Sequence, residues 1–162
     1  MKGIGIMSLV ALGCLALGLV VKAERPDSGR PILEFNTMFP VTGPYVGTTN
    51  PIRGVSGGGI PWLISEAHGG LLSNGRIGVE VKGLVLATTQ TNPITDFRTV
   101  VSCQSIDSTG NPSVVNVSTN DFPASSTGDA EIEDTVELPN PCIAPIVFVT
   151  SPTLRWFAVT GQ

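Results

Sequence analysis

The sequence predicts an all-β protein, an antiparallel β-sandwich of immunoglobulin-like or jelly-roll-like type with about seven or eight strands. Three observations predict it. Charged residues are 14% of the chain, against roughly 25% in a typical soluble domain, so long helices rich in Glu, Lys and Arg are not expected. The 19 glycines and 13 prolines among 162 residues punctuate short apolar runs, as the turns of an all-β chain do. Beyond residue 23 no stretch repeats with the helical period, while several alternate with period two. An apolar fraction of 41% is too high for a disordered chain.

Residues 1–23 read as a secretory signal peptide. Lys2 precedes an uncharged apolar stretch over 4–21, and Val21-Lys22-Ala23 offers the small-x-small exit, with cleavage before Glu24. Three rival readings share the same residues. They are a retained membrane anchor, lipidation at Cys14 after Gly13, and pilin-type processing after Gly3. Cleavage would remove two lysines and no acid, taking the net charge from −4 to −6. That balance argues against nucleic acid, whose binders need a basic patch, and against docking on anionic lipid. No membrane contact is expected after cleavage.

Residues 24–59 read as a lead-in or linker rich in Gly, Pro and Thr, and the stretch 41–59 within it as either a flexible tether or a loop lying over the domain. Within it, residues 32–39 have the composition of one short strand, stopped by Pro40. The β-sandwich domain is expected over 60–162. Trp62-Leu63-Ile64 is a short apolar run. Asn74-Gly75 is a hairpin turn, and the return strand over 76–86 alternates Ile77, Val79, Val81 and Val85 inward with Arg76, Glu80 and Lys82 outward. Gly78 and Gly83 within it suggest a bulge or a tightly covered spot. Residues 97–103 form the next strand, with Phe97, Val101 and Cys103 on one face, and 113–118 are short and β-branched. Over 130–138, Ala130, Ile132, Val136 and Leu138 face in, and Glu131, Glu133, Thr135 and Glu137 face out. Alternation turns Asp134 inward, at a bulge or rim or paired with Arg98 or Arg155. Residues 145–149 have no polar alternate and read as a strand buried on both faces, and 154–160 close the fold. The four Asn-Pro pairs, at 50, 92, 111 and 140, read as turn starters.

With Cys14 assigned to the signal, Cys103 and Cys142 remain as an even pair in a chain bound for an oxidising compartment, and they are expected to form a disulfide. A single histidine cannot complete a Cys/His zinc set, so no metal or other cofactor is expected. Gly54-Val55-Ser56-Gly57-Gly58 spells a G-x-S-x-G elbow, but no helix pattern follows to hold the serine in a strained turn. A secreted hydrolase would need Ser56 and His68 together with an acid, or an Asp/Glu pair drawn from Asp129, Glu131, Glu133 and Glu137. The same carboxylates suit a calcium site only if they converge, and alternation instead spreads them along a solvated face. Trp62, Trp156 and Tyr45 would make a sugar-stacking platform in a lectin-like module if they were exposed, though two tryptophans in apolar contexts are more often core. Asn116-Val117-Ser118 is a glycosylation sequon. The leading expectation is a secreted, non-catalytic surface-structural or binding domain. Its partner is a second copy or an extracellular protein or glycan.

Several blocks carry a resemblance. They are Gly59-Ile60-Pro61-Trp62, Arg76-Ile77-Gly78-Val79-Glu80-Val81-Lys82-Gly83-Leu84-Val85, Val100-Val101-Ser102-Cys103 and Phe122-Pro123-Ala124-Ser125. Gly128-Asp129-Ala130-Glu131-Ile132, Pro141-Cys142-Ile143-Ala144-Pro145-Ile146-Val147-Phe148-Val149 and Trp156-Phe157-Ala158-Val159-Thr160-Gly161 complete them. Through these the stretch from 58 to 161 resembles a group of small secreted bacterial β-domain proteins. The resemblance implies export and a paired-cysteine β domain, transfers no catalytic residue, and leaves the lead-in before residue 58 outside it.

Overall fold

A computed structural model describes residues 29–161. The expected signal peptide, Cys14 and the start of the lead-in lie outside the described residues.

The chain folds into antiparallel sheets that face each other across one core. Strands β1 (Pro31–Phe35), β4 (Glu66–Leu72), β5 (Arg76–Lys82) and β10 (Ala130–Thr135) form a four-stranded sheet in the order β1-β4-β5-β10. Strands β2 (Met38–Pro40), β12 (Trp156–Thr160), β11 (Ile143–Thr150), β7 (Asp96–Ile106) and β8 (Pro112–Ser118) follow one another in the second sheet, and β9 (Phe122–Pro123) pairs with the start of β7. A two-stranded pair joins β3 (Trp62–Leu63) to β6 (Val85–Leu86). Eight of these strands have five residues or more, so the expected count holds for the principal strands, and the extra ones are two or three residues long.

The four-stranded sheet shows why alternation was readable. Ala67, Leu71, Ile77, Val79, Val81 and Ile132 are buried, and their neighbours in sequence point to solvent or are partly covered. The β4–β5 hairpin turns through Ser73-Asn74-Gly75, with the Gly75 amide donating to the Leu72 carbonyl. Gly75 has φ +86°, and an added Cβ would strike the carbonyl of Val136, so only glycine fits. Gly78 is neither bulged nor covered. Register runs through it unbroken, and it lies open on the outer face opposite Gly70.

The central strands of the second sheet are buried on both sides. Thr99 to Cys103 in β7, Ile146 to Thr150 in β11 and all of β12 are closed to solvent. One side meets the four-stranded sheet through Phe97, Val101, Cys103, Val147, Val149 and Phe157. The other side carries Val100, Phe148 and Trp156, and the stretch from 41 to 59 covers it. The Ser56 carbonyl accepts from the Trp156 amide at 3.0 Å, and the Gly58 amide donates to the Trp156 carbonyl at 2.9 Å. Tyr45 packs 6.3 Å from the Trp156 ring. Gly57 passes so close to the Tyr45 backbone that a side chain would collide with it.

The expected boundary at residue 60 is therefore corrected. Residues 31–59 supply β1 to one sheet, β2 to the other, and the cover to the outer face of the second. Of the two readings of 41–59, the structure shows the loop lying over the domain. The reason is burial. A strand set with no polar alternate must be covered twice, and residues 60–161 cover the second sheet on one face only.

Candidate functional site

Cys103 and Cys142 form a disulfide, with Cα atoms 4.9 Å apart across a separation of 39 residues. Cys103 points into the core from β7 and is fully buried, and Cys142 precedes β11 just after the cis Asn140–Pro141 peptide. The bridge ties two neighbouring strands of the second sheet at one end.

The hydrolase residues are kept apart by the layers. Ser56 lies in the cover on the outer face of the second sheet, its carbonyl engaged by Trp156. His68 projects from the outer face of the four-stranded sheet, its Nε2 3.1 Å from Glu80 on the adjacent strand. Glu80 also meets Lys82 at 3.1 Å, and Lys82 lies 3.8 Å from Glu66. The hydrogen bond from Lys82 holds the Glu80 carboxyl below its ordinary range, and Glu80 raises Lys82 in turn. These groups are exposed, so the ladder gives the face a charge pattern and contributes little stability. Glu131 and Glu133 stand on the same outer face from β10, and Glu137 is exposed beyond its end. Among the described residues no group of three or more His, Cys, Asp or Glu is arranged to hold a metal ion.

Asp129 and Asp134 each tie two segments of the chain together. Asp129 accepts from the Gly83 amide at 2.9 Å and from the Thr127 hydroxyl at 2.8 Å, and these bonds lower its pKa. Asp134 does not pair with Arg98 or Arg155. It accepts from the backbone and side-chain nitrogens of Asn120 at 2.8 and 3.0 Å and from the Thr135 amide, which lowers its pKa, with the Asn120 amide the largest cause. Arg98 takes Asp121 instead, at 2.7 Å. Depressed carboxyl pKa values give stability that is complete above the unfolded value of about 3.9 and is lost as pH falls through the folded value. Thermal melts are thus expected to be flat from neutrality to about pH 5 and to drop below about pH 4. Asp134→Asn should melt lower than the parent at neutral pH and lose less on acidification. Equal acid sensitivity in the two proteins would remove Asp134 from this account.

The aromatic platform is not on the surface. Trp62 and Trp156 are each 2% exposed, and only Tyr45 reaches solvent. Trp62 stacks on Phe157 with centroids 4.0 Å apart, and Phe97 meets both edge-on. The sequon residue Asn116 is exposed on β8, and its side-chain amide donates to the Arg53 carbonyl.

Sequence reasoning missed Arg53. Its guanidinium donates to the carbonyls of Ser102 and Ala144, both at 2.8 Å, and so pins the cover to β7 and to the start of β11. It sits at φ +48° in a tight turn closed by reciprocal bonds between Ile52 and Val55. A lone arginine in a glycine-rich stretch gave no local sign of this, because its partners are carbonyls 49 and 91 residues away.

The fold and these contacts define a small, disulfide-bonded, all-β sandwich whose two tryptophans serve its core. Comparison with protein families, with curated proteins and with solved structures yields no match to this chain.

Proposed function

We propose that this protein is an exported, non-catalytic domain with a surface-structural or binding role. The observation that carries the reading is the Cys103–Cys142 bridge, since disulfides persist in oxidising compartments and are rare in the cytosol. The apolar stretch over 4–21 with its small-x-small exit points the same way, as does the resemblance to small secreted bacterial β-domain proteins. The non-catalytic part draws support from the separation of Ser56 and His68 onto different layers and from the outward carboxylates of β10.

Intact-mass analysis of the protein recovered outside the producing cell tests the reading. A chain beginning at Glu24, two hydrogens lighter than its reduced form, is expected. Retention in the cytosol with both thiols free would overturn it.

A further inference from the structure

The two sheets leave four strand edges without a neighbouring strand among the described residues: β1, β10, β2 and β8. An exposed edge is a template for another chain, and proteins blunt it with charge, proline, bulges or shortness. Three of the four are blunted. β10 carries Glu131, Glu133 and Asp134, β1 carries Pro31, Glu34 and a register shift, and β2 is three residues long and ends in Pro40.

β8 has none of these devices within it. Ser113-Val114-Val115-Asn116-Val117-Ser118 is uncharged and β-branched, and Pro112 stands only at its first position. Such a segment is the kind that pairs with another strand. The face beside it is also left open. The cover meets β8 through Arg53 and Asn116, while Ile106, Val114 and Ile143 are 54%, 49% and 54% exposed and line one shallow depression with Pro112. Uncovered edge and uncovered apolar patch thus meet at Val114.

Charge selects the occupant. The chain is net negative, and its outward carboxylates stand on the other sheet at Glu66, Glu80, Glu131 and Glu133. Pairing β10 with its own copy would set glutamates against glutamates, which is unfavourable. β8 against β8 opposes no charges at all. Directly opposite residues of an antiparallel pair share a face, so a two-fold axis normal to the sheet must pass midway between the two copies of one residue. With the axis between the two copies of Val115, Val114 faces Asn116, Ser113 faces Val117 and Pro112 faces Ser118 of the other copy. The two apolar patches then lie on the same side of a continuous sheet.

We propose that β8 is the self-association edge of this protein, and that its partner is a second copy bound by antiparallel β8–β8 pairing. This deepens the binding-module reading, but rests on the fold alone. A wrong compartment would leave the dimer standing, and a monomer would leave export standing.

The test is sedimentation of the disulfide-bonded protein over a concentration series, with amide exchange read at β8. So small an edge should give a weak dimer, with a dissociation constant on the order of tens of micromolar. Protection of the β8 amides should rise with concentration. Val114→Lys, at an exposed position, should raise the dissociation constant at least ~10-fold. Glu131→Lys on β10 should leave it unchanged. A monomer at about 1 mM, β8 exchange independent of concentration, or an open series of larger species would each overturn the proposal.

Discussion

Cys103→Ala together with Cys142→Ala is expected to lower stability by about 2–4 kcal/mol. The closed loop spans 39 residues, and loop-closure entropy alone corresponds to about 4 kcal/mol for that length. Cys103 is fully buried among core side chains, so the pair change also removes packed sulfur from the second sheet. The melting temperature should fall by on the order of 10 °C, and reducing agent should do the same to the parent but not to the variant. A drop of less than about 2 °C would show that the bridge does not restrain the unfolded chain.

Trp62→Ala is expected to cost about 3–5 kcal/mol, the range for truncating a large buried aromatic. The indole stacks on Phe157 and touches Phe97, so its removal opens a cavity where the β3–β6 pair meets the second sheet. The Trp62 amide also donates to the Val41 carbonyl, which ties the start of the cover to the same spot. Small domains have total stabilities of about 5–15 kcal/mol, so the variant should be marginal at 37 °C. Trp62→Phe should recover much of the loss. Denaturant unfolding measures both, and a cost below about 1 kcal/mol would mean that the ring is not part of the core.

Strand identity was legible where one face of a strand is wet. Over 76–82 and 130–135 the polar alternates mark the solvent face directly, and the inward residues follow by parity. Residues 145–149 were legible in a different way, because the lack of polar alternates announced burial on both faces. What covered them was not legible. Ser56 and Gly58 hold the cover through backbone bonds, Arg53 through its guanidinium and Tyr45 through a tilted ring contact, and none of these leaves a periodic signal. The stretch over 41–59 therefore read as either tether or cover. Asp134 shows the same limit on a smaller scale. Parity marked it as odd, yet its partner, Asn120, lies in a loop that parity does not reach.

By itself the sequence determined the all-β class, the principal strands, the faces of the wet-sided ones and the paired cysteines. These follow from local patterning and residue count, which need no knowledge of neighbours. The tertiary structure alone decided that residues 41–59 cover the outer face of the second sheet, that Ser56 and His68 stand on separate layers, and that both tryptophans are core. It also decided that, among the described residues, β8 is a sheet edge without charge, bulge or internal proline. Each of these depends on which strands lie side by side. Backbone hydrogen bonds carry that choice, and they are the same for every residue type, so the side chains do not spell it out.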